Sequence, residues 1–273
     1  MIDSAPAENP GRLQMTVSRR SEENQGKNKS MNIALWYGLL MVTLAAPISG
    51  QSPATTPSPV TANHQARAPF AAEIATFEAA DKQSPPPPGG IVFVGSSSIR
   101  FWTTLAQDFP ELPVINRGFG GSQIVDSVRY ADRIVLPYKP KMIVLYAGTN
   151  DVDAGKLPEQ VLKDFQTFAD KVHRKLPEMR LVYLAINPSV ARWSQEAKAL
   201  EVNHLIERFI MHTASKARKL SFLNAHQQLL DAQGKPRPAI LRADGLHLNA
   251  KGYQEWTAIL KPQLMALWKS DTK

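Results

Sequence analysis

Four short stretches of this chain carry residue types that could do chemistry. The first is Gly95-Ser96-Ser97-Ser98-Ile99, which closes an apolar run. A serine at a strand-to-helix turn presents its Oγ at a sheet edge, with its own N–H among the free donors of a helix start. The second is Asn116-Arg117-Gly118-Phe119-Gly120-Gly121-Ser122. Its three glycines in four residues let the backbone approach a ligand closely or adopt positive φ. The third is Ala147-Gly148-Thr149-Asn150-Asp151, where Asn150 can turn the chain or aim its amide N–H at a developing oxyanion. The fourth is Ala243-Asp244-Gly245-Leu246-His247-Leu248-Asn249. An Asp three residues before a His suits one compact turn that brings a carboxylate to the imidazole Nδ1. That bond fixes the tautomer and stabilises the imidazolium once Nε2 takes a proton.

Each stretch also has a plainer reading. Serine is favoured as a helix N-cap. Clustered glycines make tight turns, asparagine makes turns without chemistry, and a histidine can be a satisfied surface side chain. Two other chemistries are excluded by pattern. The Gly-x-x-x-x-Gly-Lys-Ser/Thr phosphate loop is absent, and the nucleophile elbow of α/β-hydrolases requires glycine at position 99, where isoleucine stands. The chain has no Cys, which removes disulfide frameworks, Cys-ligated zinc, iron–sulfur clusters and thiol nucleophiles. The other histidines, His64, His173, His204, His212 and His226, show no dense ligand spacing. No metal site and no cofactor are expected.

These stretches need a scaffold, and the apolar pattern supplies one. Short β-rich runs occur at Ile91–Val94, Leu112–Ile115, Met142–Tyr146, Leu181–Ile186 and Leu220–Leu223. Being apolar on both faces, they suit a buried parallel sheet. Helical patterns fall between them, around 98–108, 122–135, 158–175 and 194–217, with a last one at 249–268. Pro158 fits the first turn of its helix. Such βαβα alternation predicts an α/β domain, a three-layer α/β/α sandwich with right-handed crossovers. Sheets of this kind place their chemistry at the carboxyl ends of the strands, where three of the four stretches fall.

The N-terminal part reads differently. Residues 1–50 contain an apolar segment at 33–46, ended by Pro47 and preceded by Lys27 and Lys29. It suits the hydrophobic core of a secretory signal and falls short of the ~20 residues that span a bilayer. Export with cleavage near Gly50 or after Ala46 is expected, to a periplasmic or extracellular location. An uncleaved anchor is the alternative, and translation starting at Met15 or later would shorten the long leader. Residues 51–69 form a Pro/Ser/Thr-rich run that buries too little to offset ordering entropy, and so read as a solvated linker. The folded domain then occupies 70–273. With 43% hydrophobic residues overall, the chain can build a core of that size.

A formal net charge of +8 invites a nucleic-acid reading. The cations are too thinly spread for it. Their densest groups, Lys171–Lys175 and Lys216–Lys219, fall late in the predicted helices, where positive charge complements a helix C-terminus. No aromatic–basic stripe accompanies them. Neither a nucleic-acid partner nor an obligate protein partner is inferred.

Taken together and in this order, the four stretches resemble the SGNH hydrolases, the GDSL family of esterases and lipases. The resemblance covers about Phe70 to Trp268. It is closest to members whose first block reads Gly-Ser-Ser-Ser-Ile, and Phe93–Trp102 and Asn187–Trp193 both look like stretches of that subgroup. The resemblance implies a flavodoxin-like parallel sheet of about five strands. It implies Ser97 as nucleophile, His247 as general base and Asp244 as its orienting carboxylate. It implies an oxyanion hole from the N–H of Gly121 and the side-chain amide of Asn150, joined by the N–H of Ser97. The activity implied is hydrolysis of carboxylic esters, acyl or O-acetyl, of a small-molecule or carbohydrate substrate through an acyl-enzyme. Ser96 and Ser122 replace aspartates common in the family, which bears on substrate more than on chemistry. Trp102, Phe119, Trp193 and Arg192 are candidates to line an acyl or sugar pocket, with core or rim positions as the alternative. The competing function is a non-catalytic carbohydrate or cell-envelope binder on a hydrolase scaffold.

Overall fold

The computed structural model describes residues 69–215 and 217–271. The expected signal segment at 33–46, its cleavage site, and all of the linker except Pro69 lie outside the described residues. Five strands form the centre: β1 (Ile91–Gly95), β2 (Val114–Gly118), β3 (Met142–Tyr146), β4 (Arg180–Leu184) and β5 (Leu220–Leu223). All neighbours pair in parallel, in the order β2-β1-β3-β4-β5. Alternate residues of each strand enter opposite layers. Val92, Val94, Ile143 and Leu145 face α1 (Ala71–Gln83), α4 (Ile124–Ile134), α6 (Pro158–Lys175) and α7 (Glu196–Thr213). Ile91, Phe93, Met142 and Val144 face α2 (Ser97–Arg100), α3 (Leu105–Asp108) and α8 (Ala250–Asp271). This is the expected three-layer α/β/α sandwich. The strand order reverses between β1 and β3, and a crevice opens beyond the carboxyl ends of these two strands.

Four local expectations change. The 98–108 helix divides into α2 and α3, because Trp102 turns into the core between them. There its indole N–H donates to Asp108 Oδ2 at 2.6 Å, and its ring stacks on Trp256 and Tyr253. The second strand begins at Val114 rather than at Leu112. Pro113 has no N–H for a ladder and only offers its carbonyl to Ile91. The helix predicted to run to 217 ends at Thr213. Arg218 and Lys219 therefore lie in the approach to β5, where Arg218 pairs with Asp170 and Lys219 lies near Asp271. Helix α1 is an addition whose amphipathic pattern is weak. Of its residues only Ile74 is fully buried, and ion pairs Glu73–Arg100, Glu78–Arg133 and Asp81–Arg117 tie it to α2, α4 and β2.

The short fifth helix, α5 (Thr149–Asp153), leaves β3 directly. Gly95 lets β1 and β3 close on each other at the crevice. Its φ is +138°, and a Cβ there would sit 1.9 Å from the Tyr146 carbonyl oxygen. Among the described residues no helix is long and apolar enough to cross a membrane.

Candidate active site

Ser97 is the first residue of α2, immediately after β1. The helix begins there because Ser96 is extended, at φ −87° and ψ −162°, while its carbonyl accepts from the N–H groups of Ile99 and Arg100. Among the described residues no backbone acceptor takes the Ser97 N–H, and its half-buried side chain faces the crevice.

His247 reaches Ser97 from the other end of the sequence. Residues 241–248 fold back on themselves, with Leu241 and Leu248 bridged and the Arg242 N–H donating to the His247 carbonyl at 2.7 Å. Asp244 Oδ1 accepts the backbone N–H groups of Leu246 and His247 at 2.9 and 3.0 Å. Its Oδ2 lies 2.7 Å from His247 Nδ1. On the far side of the ring, Nε2 lies 2.8 Å from Ser97 Oγ. With Nδ1 protonated toward the carboxylate, Nε2 carries a lone pair able to accept a proton from the serine hydroxyl. Burial is the largest single influence on the Asp244 carboxyl and raises its pKa. The imidazole and the two N–H donors outweigh it and hold the pKa at about 2.

Two residues support this ring from the side. Phe101 meets His247 edge-to-face at 4.9 Å between centroids, and the Arg242 guanidinium covers Phe101 at 4.4 Å. Neither was singled out from sequence, and spacing offers no signal for them. Phe101 follows Ser97 by one helical turn, but its contact depends on a loop almost 150 residues away.

Asn150 and Gly121 come from the ends of β3 and β2. Asn150 lies in the first turn of α5, where its Nδ2 donates to the Ser122 carbonyl at 2.9 Å and its Oδ1 accepts from Arg192 at 3.0 Å. It shares a small pocket with Ser97, Tyr146, Asn187, Arg192 and His247. Gly121 is exposed, with φ +77°, and no backbone acceptor takes its N–H among the described residues. The two loops are joined by Asp151, whose carboxylate is fully buried. It accepts the Ile124 N–H at the start of α4 and pairs with Lys156 at 2.8 Å. Burial pushes the Asp151 carboxyl up, against the pull of Lys156. The sequence shows an Asp after Asn150 and gives no hint of this tie.

The remaining candidates divide. Trp102 and Phe119 are fully buried core residues and line no part of the pocket beside Ser97. Trp193 is partly buried at the rim, with the Lys235 ammonium 5.0 Å from its ring centre. Arg192 lines the pocket. A larger cavity of about 730 Å³ opens between α1 and the α2–α3 segment, along β2. It contains none of Ser97, Asn150, Asp244 or His247, so size does not locate the chemistry. Among the described residues no group of three or more His, Asp or Glu could hold a metal ion.

The arrangement can move a proton from a hydroxyl to an imidazole, and Asn150 shares the pocket in which the two meet. Solved structures share this fold. A Streptococcus pneumonia protein provisionally described as a platelet activating factor aligns with a TM-score of 0.63 and 21% identity, covering 71% of this chain and 92% of its own. A GDSL-like lipase from Bacteroides thetaiotaomicron gives 0.58 and 20%, over 72% and 98%. A family 3 carbohydrate esterase from Talaromyces cellulolyticus gives 0.55 and 19%, over 67% and 99%. No curated protein sequence matches the chain significantly. Residues 91–255, from the start of β1 into α8, match the GDSL-like lipase/acylhydrolase family. The chain belongs to that family, and it is a carboxylic ester hydrolase.

Proposed function

We propose that the protein hydrolyses short-chain esters, O-acetyl groups on carbohydrate foremost, through a covalent acyl-enzyme on Ser97. The observation that carries this reading is the continuous line from Asp244 Oδ2 through His247 to Ser97 Oγ, with links of 2.7 and 2.8 Å. In the first half-reaction His247 Nε2 takes the hydroxyl proton as Oγ attacks the ester carbonyl carbon. The tetrahedral oxyanion is met by the N–H groups of Ser97 and Gly121 and by the Asn150 amide. Collapse expels the alcohol, which receives the proton from His247. In the second half-reaction water loses a proton to His247, attacks the acyl carbon and frees Ser97 as the acid departs.

Two observations favour a short acyl group. The pocket beside Ser97 is narrow, with room for little more than one water-sized group at its centre, and polar residues Ser98, Thr149, Asn150, Asn187 and Ser189 supply much of its wall. Structural neighbours include family 3 carbohydrate esterases from Talaromyces cellulolyticus and Clostridium thermocellum. The apolar segment at 33–46 favours an exported protein, which would meet acetylated polysaccharide outside the cytoplasm.

The test compares activated esters of graded chain length with acetylated sugars, using Ser97→Ala as the blank. Wild type is expected to prefer acetyl, and Ser97→Ala to lose essentially all turnover. A fluorophosphonate probe is expected to label Ser97 alone. Retention of more than roughly a tenth of wild-type turnover by Ser97→Ala, or labelling of a different serine, overturns the assignment of the nucleophile.

A further inference from the structure

We infer that Arg192 is a positioning residue that fixes the Asn150 amide with its NH2 toward the reacting carbonyl; the inference rests on the reading of Asn150 as an oxyanion donor. A side-chain amide is useful there in only one of its two orientations, since the flipped group would aim an oxygen at the oxyanion. The loop around Asn150 selects the useful one from both ends. Arg192 Nη1 donates to Asn150 Oδ1 and to Thr149 Oγ1, each at 3.0 Å. The Ser122 carbonyl accepts from Asn150 Nδ2 at 2.9 Å. Flipping the amide would set its NH2 against a guanidinium and its oxygen against a carbonyl, two repulsive contacts in place of two bonds. The bond to Ser122 uses one N–H of the NH2 and leaves the other for the substrate.

Arg192 can do this because it is itself restrained. Its Nη2 donates to Asp153 Oδ2 at 3.1 Å, and Gln195 Nε2 holds the other oxygen of that carboxylate at 3.0 Å. The side chain is mostly buried. One residue earlier, the Ala191 N–H donates to the Gly245 carbonyl at 2.9 Å, which ties the same loop to the turn carrying Asp244 and His247. Arg192 thus sits where the donor group and the base meet. Lysine is no substitute, because a single ammonium lacks the fork that spans Asn150 and Asp153.

The experiment measures kcat and KM on an activated acetyl ester for wild type, Asn150→Ala, Arg192→Met, Arg192→Lys and the double variant Asn150→Ala/Arg192→Met, with active enzyme counted by fluorophosphonate titration. Arg192→Met is expected to lower kcat on the order of 10- to 100-fold, with KM within roughly twofold. The double variant should be no slower than Asn150→Ala by more than roughly threefold, because Arg192 acts through a group already gone. Should Arg192→Met fail to fold, Arg192→Lys carries the test, with an expected loss of about 10-fold in kcat. An effect confined to KM, or one that multiplies fully with Asn150→Ala, would show Arg192 binding substrate directly and overturn the inference. So would an Arg192→Lys kcat equal to wild type. If Asn150→Ala itself leaves kcat unchanged in an enzyme that hydrolyses esters, the oxyanion reading fails first. If Asn150→Ala is crippled and both Arg192 variants are not, only the present inference fails.

Discussion

A serine hydroxyl is a weak nucleophile at neutral pH, so the burden falls on the groups that face it. Asp244 is half-exposed, yet three hydrogen bonds keep it ionised down to about pH 2. A carboxyl whose folded pKa lies below its unfolded value of about 3.9 stabilises the fold above that value. The contribution is lost as pH falls from there through about 2. Thermal melts of wild type and Asp244→Asn should therefore differ at pH 6 by a modest margin, given the exposure, and converge as pH drops below about 4. The same variant presents an amide NH2 to Nδ1 and favours the wrong tautomer. Its kcat should fall by at least on the order of 10², approaching 10⁴ if solvent cannot compensate. Removing the Asn150 amide (Asn150→Ala) should cost on the order of 10²–10³ in kcat with the fold intact, measured on the same acetyl ester.

Among the elements, α8 does the most to bring the site together. Asn249 caps it, with Oδ1 accepting the Gly252 N–H at 3.0 Å, and so starts the helix directly after the His247 turn. One turn later the Tyr253 hydroxyl donates to the Ser98 carbonyl at 2.7 Å, which joins α8 to the helix that carries Ser97. Tyr253→Phe should cost about 0.5–1.5 kcal/mol in chemical denaturation, with a larger effect on kcat than on KM. Trp256 stacks on Trp102 beneath, and Trp256→Ala should cost about 3–5 kcal/mol. At the opposite wall Gly95→Ala has no room, since its Cβ would overlap the Tyr146 carbonyl. That variant should express poorly or melt well below wild type. These elements also show what sequence conveys. β3 and α6 match their expected spans, because Met142–Tyr146 is apolar throughout and Pro158 marks a helix start. The break between α2 and α3 was hidden, because a buried Trp102 and an exposed one look alike in a short helical pattern. Helix α1 was hidden because it fully buries only Ile74, and its three ion pairs leave no apolar periodicity.

At the scale of the whole molecule, the four stretches were legible because each follows a strand or precedes the last helix, and a parallel sheet gathers such points at one edge. What stayed illegible were cross-loop contacts: Asp151 to Ile124, Arg192 to Asn150, Phe101 to His247. Each joins residues that only the finished topology makes neighbours. Part of the positive charge is likewise met by neighbours, with Lys171 paired to Asp132 and Arg218 to Asp170. Weak, non-saturating retention on a polyanion column that vanishes by about 0.15 M salt is the expected behaviour.

The distance along the chain between Ser97 and His247 has a consequence for biogenesis. On the proposed roles, the nucleophile leaves the ribosome long before its base during synthesis, and the turn bearing that base is held by α8, which follows it. Until that helix docks, the hydroxyl has nothing to give its proton to. On the proposed roles, a nascent chain or a product cut short before residue 250 is expected to be silent toward esters, and the first turnover to report that α8 has docked.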